Sequence, residues 1–548
     1  MSKRLKYSQL QGGQICFLLD VDYQGVIHRF STFPIDLEDI AENTTIRYNG
    51  GLNDPDILQK TEILGIDIEA NTISTELIFY NINWVSEWKA GRILDNSNCL
   101  LSMVIVTDNQ TIQTIQDRVT LFKGKAYAGI FGSPDKPEGH IAFTIENDIS
   151  ITQKKLIENY QIITEKEFSG IKDDSIGKVI PFVFGKPGGY PAERTPFQIE
   201  IYERLEATPS YSIGDIALFE VRFSVCYGLI EADFLKVWDY TGGYSVCPVE
   251  IETDAEGRIY SYLDILNSIS GSGFDVNSER FFIEWSSYGG GVLSPYSDGT
   301  LTGAGDLCLY FLELSGLEYD YAEWYSLRSL LNGYKFAGYV NDTDTNIWTW
   351  LQESIIQYLP IEVINGGNGI KPVLNLYFYS QQIQTSHHVT DSGEFEIITG
   401  IQPLDTEIIN RVTIRYSYEA KFERYKSTIV VAGNFAKEAG TLYNNPLAVT
   451  SYQKYGLQEV TLEINHLYDY YTATKIAEDI IRIRSLGAYG IEISAAAKYG
   501  YIEIGDVLSL SSSRLGLESH KCQVVSKAWQ SNRWHFIVHI EDNKLVNT

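Results

Sequence analysis

The chain has 548 residues, more than one ordinary domain holds; at about 150 residues per domain it divides into roughly three or four compact units. Hydrophobic residues make up 44% and charged residues 21%, which excludes a disordered chain, and 71 acidic against 43 basic side chains, a net charge of -28, exclude sequence-independent binding to a phosphate backbone. With 37 Tyr, 24 Phe and 9 Trp beside only 2 Met, pleated half-buried surfaces are favoured over helical bundles, and the expected fold class is mainly β with a few helices, a multi-domain β+α chain.

In residues 14–32 two apolar runs flank Asp22-Tyr23-Gln24-Gly25, which predicts a hairpin with the glycine in its turn. Further strands are expected at 72–82, 100–106 and 142–146, with Thr107-Asp108-Asn109 as a turn, so residues 1–150 read as an amino-terminal β-rich unit. Residues 151–176 are polar and lack a sustained period, the pattern of a connecting arm. The run GKVIPFVFGKPGGY at 177–190 sets a short apolar stretch between Gly and Pro, as in a buried strand leaving into a tight loop. From there to 335 the pattern is strand-like and rich in Gly and Tyr, a central inserted β-rich unit whose long loops, notably 286–305, are expected to be exposed.

The period then changes. Ile347, Leu351, Ile355 and Leu359 recur every four residues behind the capping candidates Asp344 and Thr345, which predicts an amphipathic helix stopped by Pro360. Runs at 361–364 and 373–378 flank Asn365-Gly366-Gly367-Asn368-Gly369, so 336–400 reads as a helix plus a hairpin. At 411–418 Val412, Ile414, Tyr416 and Tyr418 alternate with polar residues, a half-buried strand. The longest predicted helix, 470–486, puts Ala473, Ile476, Ala477, Ile480 and Ile483 on one side and Lys475, Glu478, Asp479 and Arg482 on the other, with Gly487 as terminator. Strands follow at 491–495, 502–510, 521–529 and 533–540, the last two joined by Ser531-Asn532. A helix packed over a small β barrel or sandwich would bury these faces in a carboxy-terminal unit, 401–548. No repeat of 20 to 50 residues marks a solenoid or propeller.

Residues with chemical potential are scattered. The cysteines Cys16, Cys99, Cys226, Cys247, Cys308 and Cys522 form no CxxC pair, so buried free thiols are expected. No apolar stretch follows the basic residues of 1–14 and no run of 18 apolar residues occurs, so neither a secretory signal nor a spanning helix is expected. Asp20 with Asp22, or Asp173 with Asp174, could supply a glycosidase acid and base, but nothing separates them from a solvated acidic surface. His535 and His539 fall on a predicted strand, about 13 Å apart on one face, too far for one metal ion. His387, His388 and Asp391 lack the helical period that would converge them, and no metal site is expected. Gly289, Gly290 and Gly291 open no helix and precede no GK[ST], so they read as a flexible loop tip rather than a phosphate cradle. With no GxSxG, HExxH or SxxK in a fitting context, neither an enzyme nor a cofactor is expected.

The order of three segments resembles one family, the baseplate hub or tail-tip proteins of long-tailed, siphovirus-like bacteriophages, which are related to the hubs of contractile tails and of gene transfer agents. LLDVDYQGVIHRFSTFP, ISTELIFY and RVTLFKGKAYAGIF look like the β-rich amino-terminal region of such proteins. GKVIPFVFGKPGGY is similar to the IP-x-x-x-G stretch opening their central part. YTATKIAEDIIRIRSLG followed by YIEIGDVLSLSS resembles the helix and "GDV" strand of the carboxy-terminal hub domain, with Gly505, Asp506 and Val507 in the motif. NDTDTNIWTWLQESIIQYLP and the NGGNG hairpin look like the preceding helix and hairpin. These cover roughly half of the chain, and 190–333 resembles nothing in the family.

The resemblance implies a structural virion protein at the distal end of the tail, made in the host cytoplasm. It would act as a homotrimer that closes the tail tube, adapts its sixfold symmetry to a threefold tip and takes part in genome ejection. Its partners would be the distal tail protein, the tape-measure protein and other tip proteins of the same phage, with host-surface contact possible and no tight nucleic-acid binding. Physically, two β modules per chain and three chains can present six similar edges to a ring, and the strand at 411–418 is a candidate for pairing between subunits. The acidic balance fits either a lumen that DNA must slide through or a surface kept soluble before assembly. Two other functions compete. Aromatic loops at 285–288 and 319–324 suggest a carbohydrate-binding adhesin with Trp324 as the glycan contact; a cell-wall hydrolase is the third.

Overall fold

A computed structural model describes residues 7, 10, 13–60, 72–78, 83–92, 94–107, 114–131, 139–146, 154–157, 162, 177, 179 and 181–185, a discontinuous set of strand residues between 198 and 284, and residues 290–340, 343–344, 346–366, 368–375, 385–391, 394–404, 407–419, 424–435 and 441–540. The chain is mainly β, 50% strand and 21% helix, in several sheets.

The first hairpin forms as its sequence dictates. Gln14–Tyr23 and Val26–Ser31 pair antiparallel around Gln24 and Gly25, both at positive φ (55° and 76°), the tight turn that matches strand twist. Asn98–Val106, Val119–Phe131, His140–Glu146, Thr72–Ile78 and Asp56–Lys60 then extend the sheet, each beside the one before. The turn expected at 107–109 falls partly outside the described residues.

This sheet does not stop at the amino-terminal unit. Asp56–Lys60 pairs with Leu517–Gln530, a 14-residue strand from the other end of the chain, through Ser526↔Lys60, Lys527↔Gln59 and Ala528↔Leu58. Along one side, Leu517–Gln530 pairs first with Val507–Ser512 and then, past an irregularity between Val524 and Ser526, with Asp56–Lys60. Its other side takes Arg533–Ile540. Strand length is thus used to serve two neighbours in succession. Both chain ends fill one core: the Phe17 ring meets Trp529 at 5.4 Å and Trp534 at 6.4 Å, and Tyr7 packs on Tyr501 at 6.3 Å. Lys498, only 7% exposed, donates from Nζ to the Leu10 carbonyl at 2.8 Å and to Glu394 at 2.6 Å.

A second core joins Phe182–Phe184, residues 301–370 and residues 409–481. Two segments read as strand-like are helices here, Ala304–Ser315 and Tyr321–Leu331. Leu307, Cys308, Phe311 and Leu312 recur at helical spacing, and Gly316 ends the first helix at φ 71°. Ile347–Ser354, capped by Asn346 rather than Asp344 or Thr345, and a following 3-10 turn bury Ile347, Leu351, Ile355 and Leu359 before Pro360. The hairpin Ile361–Gly366 with Gly369–Leu374 runs closer to its tip than the glycine run suggests.

Tyr470–Arg484, capped by Asp469, packs on the four-stranded sheet of Thr441–Asn444, Arg424–Ala432, Arg411–Glu419 and Glu459–Glu463, not over the carboxy-terminal strands. The apolar face of Val412, Ile414, Ile429 and Val431 meets its stripe, which buries Ile481 in place of Ile480. Ser485 is its C-cap, and Gly487 has no left-handed φ. The strand expected from 502 starts at Val507, after the 3-10 turn Ala497–Tyr501. Separately, Gln198–Ile201, Arg204–Ile213, Ile216–Tyr227, Phe234–Asp239, Tyr244–Thr253, Ile259–Asp264, Ser270–Ser272 and Phe281–Glu284 form an eight-stranded antiparallel sheet.

Because both chain ends share one core, Phe17→Ala should cost about 3–5 kcal/mol and loosen both together. Hydrogen exchange should show protection falling in Gln14–Tyr23 and in Leu517–Gln530; a loss confined to the amino-terminal strands would contradict a shared cooperative unit.

Candidate assembly surface

Among the described strands, Glu459–Glu463 lies at the outside of its four-stranded sheet, paired in parallel with Arg411–Glu419 on one side only. Arg411–Glu419 itself is interior, flanked by Arg424–Ala432 and Glu459–Glu463, so the edge expected at 411–418 moves to its parallel neighbour. The outer strand alternates: Glu459, Thr461 and Glu463 are exposed while Val460 and Leu462 turn inward. Its carboxylates face guanidinium groups in register, Arg415 to Glu463 at 2.6 Å and Arg411 to Glu459 at 3.5 Å.

Beside this edge opens an apolar cleft of about 220 Å³, lined by Val460, Leu462, Ile409, Ile480 and Ile483, with Ile356 and Val363 opposite and the Arg484–Glu407 pair among its lining residues. Asp479 also lines it, although the sequence places this residue on the polar side of its helix. Its spacing shows why it is buried: it stands three residues after Ile476 and four before Ile483, on the apolar stripe itself. The Tyr334 hydroxyl donates to its Oδ2 at 2.5 Å, and the Lys475 ammonium lies 3.8 Å from the Tyr334 ring centre. Burial raises the Asp479 carboxyl to about 7, against the opposing pull of the Tyr334 hydrogen bond and the Lys475 charge. Burial likewise lowers Lys475.

The Gly505-Asp506-Val507 motif is a turn that docks the hairpin on the last strands. Gly505 has φ 86°, and a Cβ there would stand 2.5 Å from the Val373 side chain. Asp506 Oδ2 accepts from the Glu503 amide at 2.9 Å, the Gly505 amide donates to the Val524 carbonyl at 2.8 Å, and the Val507 carbonyl accepts from the Ser386 amide at 2.7 Å. Gln523 Nε2 bridges the Leu374 and Gly505 carbonyls at 3.0 and 3.2 Å.

The other candidates are not brought together. Asp20 pairs with Arg118 at 2.8 Å on the first strand, and Asp173 and Asp174 lie outside the described residues. His387 packs against Phe395 and Tyr499, His388 meets the Ser509 hydroxyl at 3.0 Å, and His535 meets Glu492 at 3.2 Å. No group of three or more metal-ligating side chains occurs among the described residues. Cys16, Cys99, Cys247, Cys308 and Cys522 are free and buried. Gly291 belongs to a strand, Gly290–Val292, rather than to a flexible tip: a Cβ there would stand 2.3 Å from the Val183 carbonyl oxygen, so only glycine permits this approach. Trp324, the proposed glycan contact, is fully buried, with Nε1 donating to the Ile370 carbonyl at 3.1 Å; its large apolar ring is core, and no sugar can reach it.

No protein-family model matches the chain, and no curated protein matches it. Among solved structures it is similar to a chain in the virion of a native gene transfer agent particle (10% identity, TM-score 0.38, covering 70% of this chain and 90% of that one). It is also similar to the 43 kDa tail protein of prophage MuSo2 from Shewanella oneidensis (7% identity, TM-score 0.35, covering 96% and 98%) and to the prophage tail protein gp18 from Listeria monocytogenes EGD-e (11% identity, TM-score 0.25, covering 60% and 87%).

A carboxyl held near 7 in the fold and near 4 when unfolded contributes stability that is complete below about pH 4 and disappears as pH rises through 7. Buried His539, lowered to about 4, acts oppositely, destabilising the fold as pH falls from about 6.5 toward 4. The two effects oppose each other over the same range, so the comparison with a variant isolates the carboxyl: the stability of the native chain relative to Asp479→Asn should fall by up to about 4 kcal/mol between about pH 4 and 7 and stay level above about pH 8; a difference that does not change over that range in chemical melts would refute it. Gly505→Ala should lower stability by about 1–3 kcal/mol in a chemical melt, through backbone strain and the collision with Val373.

Proposed function

We propose that this chain is a structural component of a bacteriophage tail, the hub that closes the tube at its distal end as a homotrimer. The observation that carries the reading is the Glu459–Glu463 edge beside its largely apolar cleft: an outer strand and a cleft side by side suit the addition of a strand from a neighbouring subunit, whose apolar side chains enter the cleft. The ordered sequence resemblance supports it, as does a fold in which both chain ends build one sheet while a second sheet presents its own edge. Ile35–Asp39, at the outer end of the large sheet and followed by Ile40 at 68% exposure, offers a further contact for a tube or tip partner such as the distal tail protein.

Sedimentation of the purified chain should give three times the chain mass at micromolar concentration. Val460→Lys with Leu462→Lys, both half-buried at the cleft and packed on the second core, should lower the melting temperature, keep the far-ultraviolet circular dichroism of a folded chain at room temperature and shift the particle to monomer. A chain that is monomeric at all concentrations, with this edge facing solvent in electron microscopy of the assembled tail, would overturn the reading.

A further inference from the structure

Around the buried Trp324, the same segment turns a different set of rings outward. Tyr321 and Tyr325, one helical turn apart, are 50% and 49% exposed, and their rings stack at 5.5 Å with an interplanar angle of 22°. The Tyr319 ring stands 6.4 Å from Tyr321 at 56°, closing one side of the stack. Arg328 extends it at the other end, 5.6 Å from the Tyr325 ring centre and 5.9 Å from that of Tyr296. The Tyr296 hydroxyl donates to Glu313 Oε2 at 2.7 Å, so a carboxylate sits among the rings. After burial, that carboxylate is what raises the phenols of Tyr296 and Tyr319, and Tyr321 adds to both, which places these groups within electrostatic reach of one another.

The patch is held in place from below. Asp306, buried beneath it, accepts from Arg328 Nε at 2.6 Å, from Asn332 at 2.7 Å and from the hydroxyls of Ser294 and Ser297 at 2.6 and 2.7 Å. Trp324 locks the helix between the exposed tyrosines. The segment carrying Tyr296 and the helix carrying Tyr321 and Tyr325 are therefore fixed to one anchor, which preorganises the surface.

We propose that this tyrosine patch binds a neutral saccharide, a pyranose ring stacking on Tyr321 and Tyr325 with its hydroxyls donating to Glu313. Flat aromatic faces match the C–H face of a sugar, and a carboxylate accepts paired hydroxyls. Glu318 is paired with Lys123, but the exposed carboxylates of Glu313 and Glu323 beside the patch disfavour phosphate-bearing or otherwise anionic polymers, which favours the neutral class. The site is independent of the assembly edge, which lies on another sheet.

Saturation-transfer NMR on the full chain tests this with three neutral probes, maltohexaose, cellohexaose and chitohexaose, and one anionic probe, polyglycerol phosphate. At least one neutral probe should receive saturation on its ring protons. Tyr321→Ala and Tyr325→Ala should each weaken that probe at least tenfold at unchanged melting temperature, Tyr321→Phe should retain most of the binding, and Tyr471→Ala, an exposed tyrosine elsewhere, should change nothing. Silence from all three neutral probes at millimolar concentration, binding indifferent to both alanine variants, or preference for the anionic polymer would each overturn the proposal.

Discussion

The structure depends on a strand that serves two neighbours. Leu517–Gln530 is more than twice the usual strand length of about 5–6 residues. Its first half completes the carboxy-terminal sheet against Val507–Ser512, and its second half closes the amino-terminal sheet against Asp56–Lys60. Only three residue pairs make that junction, but three large rings pack beneath it: Phe17, Trp529 and Trp534 in mutual contact, with the Trp534 indole donating to the Ala497 carbonyl at 3.0 Å. Gly500 lets Met103 and Trp534 close over the backbone, since a Cβ there would stand 2.5 Å from Met103. Contacts of such sequence separation form only after the whole intervening chain has been made, so this sheet is expected to be the slow step in folding.

Buried polar groups mark the seams between segments, and their degree of satisfaction separates scaffold from adjustable parts. Lys498 is anchored by a carbonyl and a carboxylate from two distant segments. Lys527 donates to the Gly500 carbonyl at 2.6 Å and lies over the Trp534 ring. Asp306 collects four donors, which holds its carboxyl down at about 2 despite burial. Asp479 has a tyrosine hydroxyl and a more distant ammonium in an apolar slot, and burial wins. The same residue type thus ends on opposite sides of its ordinary range, decided by the number of donors that reach it.

Period and punctuation made much of this legible. The first hairpin, the strand Phe182–Phe184, the alternating Arg411–Glu419 and the final hairpin with Ser531 and Asn532 at φ 50° and 61° follow directly from local pattern. Three kinds of feature were not local. The helix Ala304–Ser315 is buried on most sides and reads as strand, because burial within a larger core erases the polar face that helical periodicity needs. Arg411–Glu419 carries the alternation of a half-buried strand whether or not it is an edge, and the arrival of Glu459–Glu463 in parallel is a tertiary event. Tryptophan abundance does not say which ring faces water: Trp324 is core while Tyr321 and Tyr325, a few residues away, are not. The candidate surfaces, edge, cleft and tyrosine patch, therefore became visible only with the packing.

The glycines of 289–291 show how one local constraint organises a whole region. Gly291 lies against the Val183 backbone, and its amide donates to the Gly185 carbonyl, so the point where the chain departs toward the eight-stranded sheet and the point where it returns are in contact. Ile230–Glu231 pairs with Gly290–Val292 at the same place. A segment whose ends meet can vary in length and sequence without moving the core that carries it. The two cores on either side keep their own closure: the large sheet through Leu517–Gln530, the second through the Tyr470–Arg484 helix. Because of that close approach, any larger side chain at Gly291 would push its effect into Phe182–Phe184 and the second core, which also carries the cleft and the tyrosine patch.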